Sequence, residues 1–576
     1  MILQALNDYY QRKSADPNAH MAPPGFEWKE IPFVIELDND GKLVQIEDTR
    51  EGNGKKKIAR RFLLPQGVKK TSGVAANLFW DNAEYVLGVD IKGKPERLRE
   101  QRNAFIANIK SLPPDALADV GVAAVLKFIE TVNLGELEKS AVWPDIVEAN
   151  PNLTFRLQNE TGLVSQRSVV VRAIESLQGT GAADGICMIS GEVDEIERLH
   201  TSVKGVWGAQ SSGANIVSFN LDAFNSYGKT QGNNAPIGKR TAFAYTTGLN
   251  YLLHKDSRQR IQVGDSSTVF WAERTSELES AIPDIFGEPP KDDPDRNVRA
   301  VESLYRSIQS GAFHHDGGKD RFYVLGLAPN AARIAIRFWY VSTVAELAIH
   351  IRSHFDDIKI GHASFEKPYL SVVRLLVTTA TQGEADNIPP NLAGDMMRSV
   401  LSGTPYPQTL LQAAVRRTCA EREISYPRAA LIKACINRQI RYDHTNEKEL
   451  TVSLDEANLN VGYRLGRLFA ALEKIQEDAN PGINATIRDR YYGSASSTPM
   501  TVFSTLIKLS KHHLSKLQKE KPGLAVNREK LMGEIIGGIQ DFPSLMPLIE
   551  QGRFAIGYYH QQQAFYQKSE SKTQGE

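Results

Sequence analysis

Residues 31–46 read IPFVIELDNDGKLVQI, and this stretch sets the class of the fold. Apolar and polar positions alternate through Ile31-Pro32-Phe33-Val34-Ile35-Glu36-Leu37, the turn signal Asp38-Asn39-Asp40-Gly41 follows, and Leu43-Val44-Gln45-Ile46 resumes the alternation. Such patterning on both sides of an Asp/Asn/Gly turn predicts a β-hairpin. Around this stretch, 26–91 keeps alternating between turn signals, whereas 96–111 and 114–133 take helical spacing. In the second of these, Leu117, Val120, Ala124 and Phe128 share one face, and Val122, Val125, Leu126 and Ile129 fill the rest, so a mostly buried helix is expected. Strands are expected again over 168–189 and 214–221, and at Arg321-Phe322-Tyr323-Val324-Leu325-Gly326-Leu327.

After residue 365 strand signals nearly vanish. Long amphipathic patterns take over, separated by Asn387-Ile388-Pro389-Pro390-Asn391, Gly403-Thr404-Pro405-Tyr406-Pro407 and Asn480-Pro481-Gly482. Between Gly462 and Gln476, residues Leu465, Leu468, Phe469, Leu472 and Ile475 align, with Arg467 and Lys474 expected to point away and Arg464 to border the stripe. A helix near 500–519 is expected to bury Met500, Phe503, Leu506, Ile507, Leu514 and Leu517 and to carry Lys508, Lys511, His512, Lys516 and Lys519 outside. The expected class is therefore α+β: a mixed α/β region with β-hairpins over 1–365, connecting helices over 366–450, and an all-α helical bundle over 451–576.

Composition is that of an ordinary globular chain of 576 residues, with 41% hydrophobic and 24% charged residues, and only the polar tail Gln561–Glu576 reads as disordered. Lys plus Arg equals Asp plus Glu at 68 each, so attraction to nucleic acid must come from local clustering. Cys187, Cys419 and Cys435 form no CxxC pair or zinc-finger spacing, which argues against a disulfide framework and a structural metal. The start, MILQALNDYYQRKSADPNAH, lacks an apolar signal-peptide core, and no apolar run reaches membrane-spanning length; a cytoplasmic protein with no membrane partner and no cofactor is expected.

Two segments combine cations with amides. Lys55, Lys56, Lys57, Arg60, Arg61, Lys69 and Lys70 place seven cations within sixteen residues, and Thr71, Ser72, Asn77 and Asn82 follow. The same mixture recurs at Lys204, Gln210, Ser211, Ser212, Asn215, Asn220, Lys229, Gln231, Asn233 and Asn234. Lysine neutralises phosphate regardless of sequence, whereas Asn and Gln match base edges, so a short duplex motif is readable this way. A lysine-protected hairpin edge and a Gly/Asn/Ser-rich loop explain the same runs without DNA.

Enzyme signatures are thin. His314-His315-Asp316 with His254 and Asp256 is the only candidate metal-dependent nuclease set, and its Gly-flanked stretch 311–318 reads as a surface loop. The run GNNAPIGK, residues 232–239, has five residues between its glycines, and Arg240 stands where a phosphate-binding loop needs Ser or Thr. No GxSxG elbow or zincin helix is present. The expectation is a chain with no catalytic residues.

Longer blocks carry a resemblance: MILQALNDYY at the start, KKTSGVAANLFWDNAEYVLG, KGVWGAQSSGANIVSFN, NSYGKTQGNNAP, AFAYTTGLNYLL, RFYVLGLAPNAARIAIRFW and VSLDEANLNVGYRLGRLFAALEKIQEDA, in that order. Together they resemble the large subunit of the type I-C CRISPR surveillance complex, Cascade, across essentially the whole chain. The resemblance implies a non-catalytic subunit at the 5′ end of the crRNA that recognises the protospacer-adjacent motif, promotes R-loop formation in antiviral defence and recruits a helicase-nuclease. Implied partners are double-stranded target DNA, its displaced single strand, crRNA-bound backbone subunits and small subunits. The C-terminal part resembles the small subunit, with an internal start expected near Val452. On this reading Lys69, Lys70, Thr71, Ser72, Asn77 and Asn82 face the motif-proximal duplex. Gln210, Ser211, Ser212, Asn215, Asn220, Gln231, Asn233 and Asn234 read the motif or wedge the strands. Arg464, Arg467, Lys508, Lys511, Lys516 and Lys519 line the displaced strand.

Overall fold

Phe33–Leu37 pairs antiparallel with Leu43–Asp48, Ile35 facing Ile46, so the predicted hairpin is present. Its turn is held by Asp38, whose Oδ1 accepts from the main-chain N–H of Asp40 at 2.9 Å and of Lys42 at 2.8 Å. Gly41 closes the turn at φ 76°, where a Cβ would lie 2.6 Å from the carbonyl oxygen of Ala124. Glycine is required there twice over, by backbone conformation and by the helix passing over it.

The computed structural model describes residues 1–52, 57–68, 70, 73–178, 183–263, 265–310, 319–331, 333–389 and 391–573. The chain divides into two units, one of Met1–Val203 with Asn215–Tyr251 and one of Lys204–Ala214 with Leu252–Glu576. The architecture is α+β, and strands end at Thr343, beyond which the described residues are helices and connections. Among the described residues no helix is long and apolar enough to cross a membrane.

In the first unit Asn152–Leu157 adds to Phe33–Leu37 in parallel, and Trp80–Asn82 adds to Asn152–Leu157 antiparallel, completing a four-stranded sheet. Helices Pro95–Lys110 and Val120–Thr131 contribute Phe105, Val125, Phe128 and Ile129 to a core with Phe33, Ile35, Leu37, Leu153 and Phe155. A separate ribbon pairs Phe26–Glu30 with Arg61–Pro65, over a cluster of Ile31, Val34, Leu64, Trp80 and Leu163. The N-terminal helix Ile2–Ser14 packs on helix Lys239–Leu252, Tyr10 edge-on to Phe243 and the Leu6 carbonyl 3.1 Å from where a Cβ of Gly248 would sit.

Three sequence expectations change here. The helix expected over 114–133 is broken, because Asp119 caps a new helix by accepting from the N–H of Gly121 at 2.8 Å. The first half of the strand expected over 168–189 is the helix Ser168–Gln178, whose Val170, Ala173 and Ile174 recur at helical spacing and are buried. Packing of that stripe overrides the strand preference of Val169-Val170-Val171. Within 214–221 there is no strand, only isolated bridge residues, bends and irregular chain.

The second unit holds an antiparallel sheet in the order Arg260–Val263, Ser266–Ala272, Arg321–Asn330, Arg333–Thr343, so the strand predicted at Arg321–Leu327 is its third. One core joins Phe270, Phe322 and Phe338 to Leu347, Met396, Leu410 and Ile432, and reaches Tyr463, Ile556 and Tyr559. It runs without a break past residues 365 and 450, the boundaries expected from sequence. Asp357 is a polar anchor inside it, accepting from Arg438 Nε at 2.7 Å and from Arg441, while its carbonyl accepts from Lys433.

The expected late helices are Val461–Ala479 and Pro499–Glu520. Val461–Ala479 crosses the terminal helix Leu548–Thr573 backbone to backbone: a Cβ on Gly466 would stand 2.0 Å from the Phe554 carbonyl oxygen, and one on Gly557 2.0 Å from that of Tyr463. Of the tail expected to be disordered, 561–573 is the end of this terminal helix and 574–576 lie outside the described residues; Gln561 is buried, its Oε1 accepting from Arg467. Met500, expected inside, is exposed at the first turn of its helix.

Candidate nucleic-acid interface

Of the cations at 57–61, Arg61 opens the ribbon strand Arg61–Pro65, and Lys57 and Arg60 flank the short strand Ile58–Ala59, which pairs with Arg50–Glu51. Lys57, Arg60 and Arg61 are exposed, and Arg60 faces Glu47 at 3.4 Å and Glu51 at 3.9 Å. Exposed pairs of this kind are worth about 0–1 kcal/mol, so a phosphate can displace them. Lys55, Lys56, Lys69, Thr71 and Ser72 lie outside the described residues.

Lys70 is held differently. Its ammonium donates to Asp81 Oδ1 at 2.7 Å and Oδ2 at 2.8 Å and sits 4.0 Å over the Tyr85 ring. Asp81 is only 2% exposed and also accepts from the N–H groups of Asn77 and Asn82, both at 2.9 Å. A buried carboxylate needs that cation. Asn77, 5% exposed, spends its Oδ1 on the N–H of Val68, and Asn82 caps the helix Ala83–Leu87. Of the residues expected to face DNA, Lys70, Asn77 and Asn82 are therefore tied together through Asp81.

The amide-rich segment splits by role. Gln210, Ser211, Ser212 and Lys204 are exposed in the second unit, and Asn220, Lys229 and Asn233 are exposed in the first. Asn215 donates to the His200 carbonyl at 2.9 Å and accepts from Ser202. Gln231 accepts from Arg198, and Asn234 bonds the main chain of Ser226, Lys229 and Gln231. These last three amides shape loops.

On the helical side, Lys508, Lys511 and Lys519 are exposed along Pro499–Glu520, and exposed Lys516 reaches Asn480 Oδ1 at 3.0 Å. Arg464 and Arg467 correct the sequence expectation. Arg464 is buried and donates to the Asn458 carbonyl; Arg467, 4% exposed, donates to Gln561 Oε1 at 3.1 Å and to the Glu456 carbonyl at 3.2 Å, and burial lowers its pKa. The terminal helix covers the face on which Arg467 was expected to meet solvent.

Of the nuclease set, His254 and Asp256 pair at 3.5 Å in a loop, whereas His314, His315 and Asp316 lie outside the described residues. Among the described residues no group of three or more His, Cys, Asp or Glu is placed to hold a metal ion. Lys239, the last residue of GNNAPIGK, is ion-paired with Glu195 at 2.5 Å.

Sequence reasoning passed over two residues. Asp81 sits inside the quoted Trp80-Asp81-Asn82, and its signal was a lone acid beside a cation tract. Tyr227 is 98% exposed at a turn, and its signal was the Tyr-Gly dipeptide between Ser226 and Lys229.

The sequence that folds this way matches a class of CRISPR-associated protein: a family model described as CRISPR-associated protein (Cas_Csd1) covers residues 6–566. The chain belongs to the Cas_Csd1 family, which gives it a role in CRISPR defence. No curated protein matches it.

Proposed function

We propose that this chain is the large subunit of a type I-C crRNA-guided complex, that it recognises the motif flanking a duplex target and promotes R-loop formation, and that it does no chemistry itself. Guide pairing reads the remaining sequence, and a separate helicase-nuclease is recruited afterwards. The observation that carries this reading is the exposure, in one unit of a CRISPR-associated chain, of Lys57, Arg60 and Arg61 around the short strand Ile58–Ala59 and of Asn220, Lys229 and Asn233 on a turn-rich segment. Cations of the first group grip phosphate, and amides of the second read base edges. Lys508, Lys511, Lys516 and Lys519 track the displaced strand along one helix.

The test separates the two roles. Changing Lys57, Arg60 and Arg61 to Ala weakens binding equally on motif-bearing and scrambled duplexes and reduces the salt slope by about 0.9 for each phosphate no longer neutralised. Changing Asn220 and Asn233 to Ala costs about 1–3 kcal/mol on the motif and little on the scrambled duplex. A second reading, a purely structural scaffold, is favoured at Asn77, Asn82, Asn215 and Asn234 by their internal hydrogen bonds. Equal losses on both duplexes from the Asn220 and Asn233 changes extend that reading to the whole segment.

A further inference from the structure

Tyr227 is 98% exposed, yet its backbone is held at φ 52° and that of Gly228 at φ 73°. Lys229 N–H donates to the Ser226 carbonyl at 2.9 Å, closing a tight turn with both central residues in the left-handed region. Asn, Asp and Gly dominate such positions, because a larger side chain crowds its own backbone there. Tyrosine at the first of them gains no burial to offset that crowding.

The turn is also braced from beneath. Asn234 accepts from the N–H of Ser226 at 3.0 Å and donates to the carbonyls of Lys229 at 3.2 Å and Gln231 at 3.1 Å. Gln231 in turn accepts from Arg198, and at Gly232 the chain comes so close to Glu197 that a Cβ would meet its carbonyl oxygen at 2.2 Å. The ring is thus set in water on a frame anchored to the body of the first unit, so little further ordering is needed when something lands on it. Exposed Asn225, Lys229 and Asn233 surround it in sequence, with Leu221 the nearest exposed large apolar residue. An aromatic face among amides and a cation is the chemistry of a base-stacking platform.

We infer that Tyr227 stacks on a nucleobase exposed where the target duplex opens. This deepens the proposed function and rests on it. The experiment uses the full chain and a forked DNA with 2-aminopurine at the junction, with affinity and base fluorescence measured for the unaltered chain, Tyr227→Ala and Tyr227→Phe. Stacking on one base is worth about 1–3 kcal/mol, so Tyr227→Ala weakens fork binding about 5- to 140-fold and removes the fluorescence change on binding. Tyr227→Phe keeps both, and the salt slope of all three is the same, since the number of neutralised phosphates does not change. Equal fork binding by Tyr227→Ala and the unaltered chain overturns the inference and leaves the proposed function standing. Equal losses in Ala and Phe overturn it in favour of a hydroxyl hydrogen bond. Fork binding unchanged in Tyr227→Ala, with association to the crRNA-bound subunits abolished, overturns it in favour of a protein-binding role. No DNA binding by the unaltered chain, alone or assembled, removes the proposed function and the inference together.

Discussion

Lys70→Met removes the cation that faces Asp81 and keeps a stem of similar shape. Removing one partner of a buried ion pair costs about 3–5 kcal/mol, because the other charge is left uncompensated. Here Lys70 is 34% exposed and Asp81 keeps two main-chain donors at 2.9 Å. Those donors lower the expected cost to about 2–3 kcal/mol, and loss of the ammonium from the Tyr85 face adds about 0.5–1 kcal/mol. Asp81→Asn removes the buried charge that the ammonium compensates, so adding Lys70→Met to it costs far less than adding it to the unaltered chain, with a coupling of about 1.5–3 kcal/mol. Urea unfolding followed by fluorescence of Trp80, whose Nε1 donates to the Pro65 carbonyl at 2.8 Å, reports on this region. In DNA titrations Lys70→Met keeps the salt slope of the unaltered chain. Unchanged stability together with a salt slope reduced by about 0.9 would make Lys70 a phosphate ligand rather than the partner of Asp81.

Arg467→Ala destabilises the second unit by about 1–3 kcal/mol by stranding Gln561 and the Glu456 carbonyl, and leaves single-strand binding unchanged; denaturation and filter binding check both. Changing Lys508, Lys511 and Lys519 to Glu does the reverse, weakening single-strand binding with a flatter salt slope and little change in unfolding. Gly466→Ala drives a methyl into the Phe554 carbonyl and costs about 1–3 kcal/mol or more, read as a lower thermal midpoint. Burial lowers His354 from 6.5 to about 3 and His560 from 6.5 to about 4. Between pH 6.5 and about 4 the unfolded chain therefore takes up protons that the native chain refuses, so stability is whole above pH 6.5 and falls as pH drops through that window. His354→Gln and His560→Gln flatten the fall in pH-dependent denaturation. Glu473, raised by burial, acts in the opposite sense, its contribution declining as pH rises above 4.5.

The hairpin at 33–48 was legible because alternation and an Asp/Gly turn are local signals, and the helix at 461–479 because its apolar stripe is long. Ser168–Gln178 was not, since a Val run reads as strand until packing of Val170, Ala173 and Ile174 decides otherwise. Arg467 failed for a related reason: a helical wheel marks one covered face, and the terminal helix brings a second. At the candidate interface the amino-acid types pointed to cations and amides, but Asn77, Asn82, Asn215 and Asn234 are bound inward by partners up to fifteen residues away. Residue type alone does not distinguish an amide that reads a ligand from one that holds a loop. Tyr227 was missed because its exposure and left-handed backbone exist only in the folded chain.

The most direct measurement is a map of protein–DNA crosslinks on the assembled complex bound to a motif-bearing duplex carrying photoreactive bases within the motif. Crosslinks at Asn220, Tyr227, Lys229 or Asn233, abolished when the motif is scrambled, are the predicted result, with phosphate-proximal crosslinks at Lys57–Arg61. Motif-dependent crosslinks that avoid both segments, or a complex that selects the motif equally well without these side chains, contradict the account.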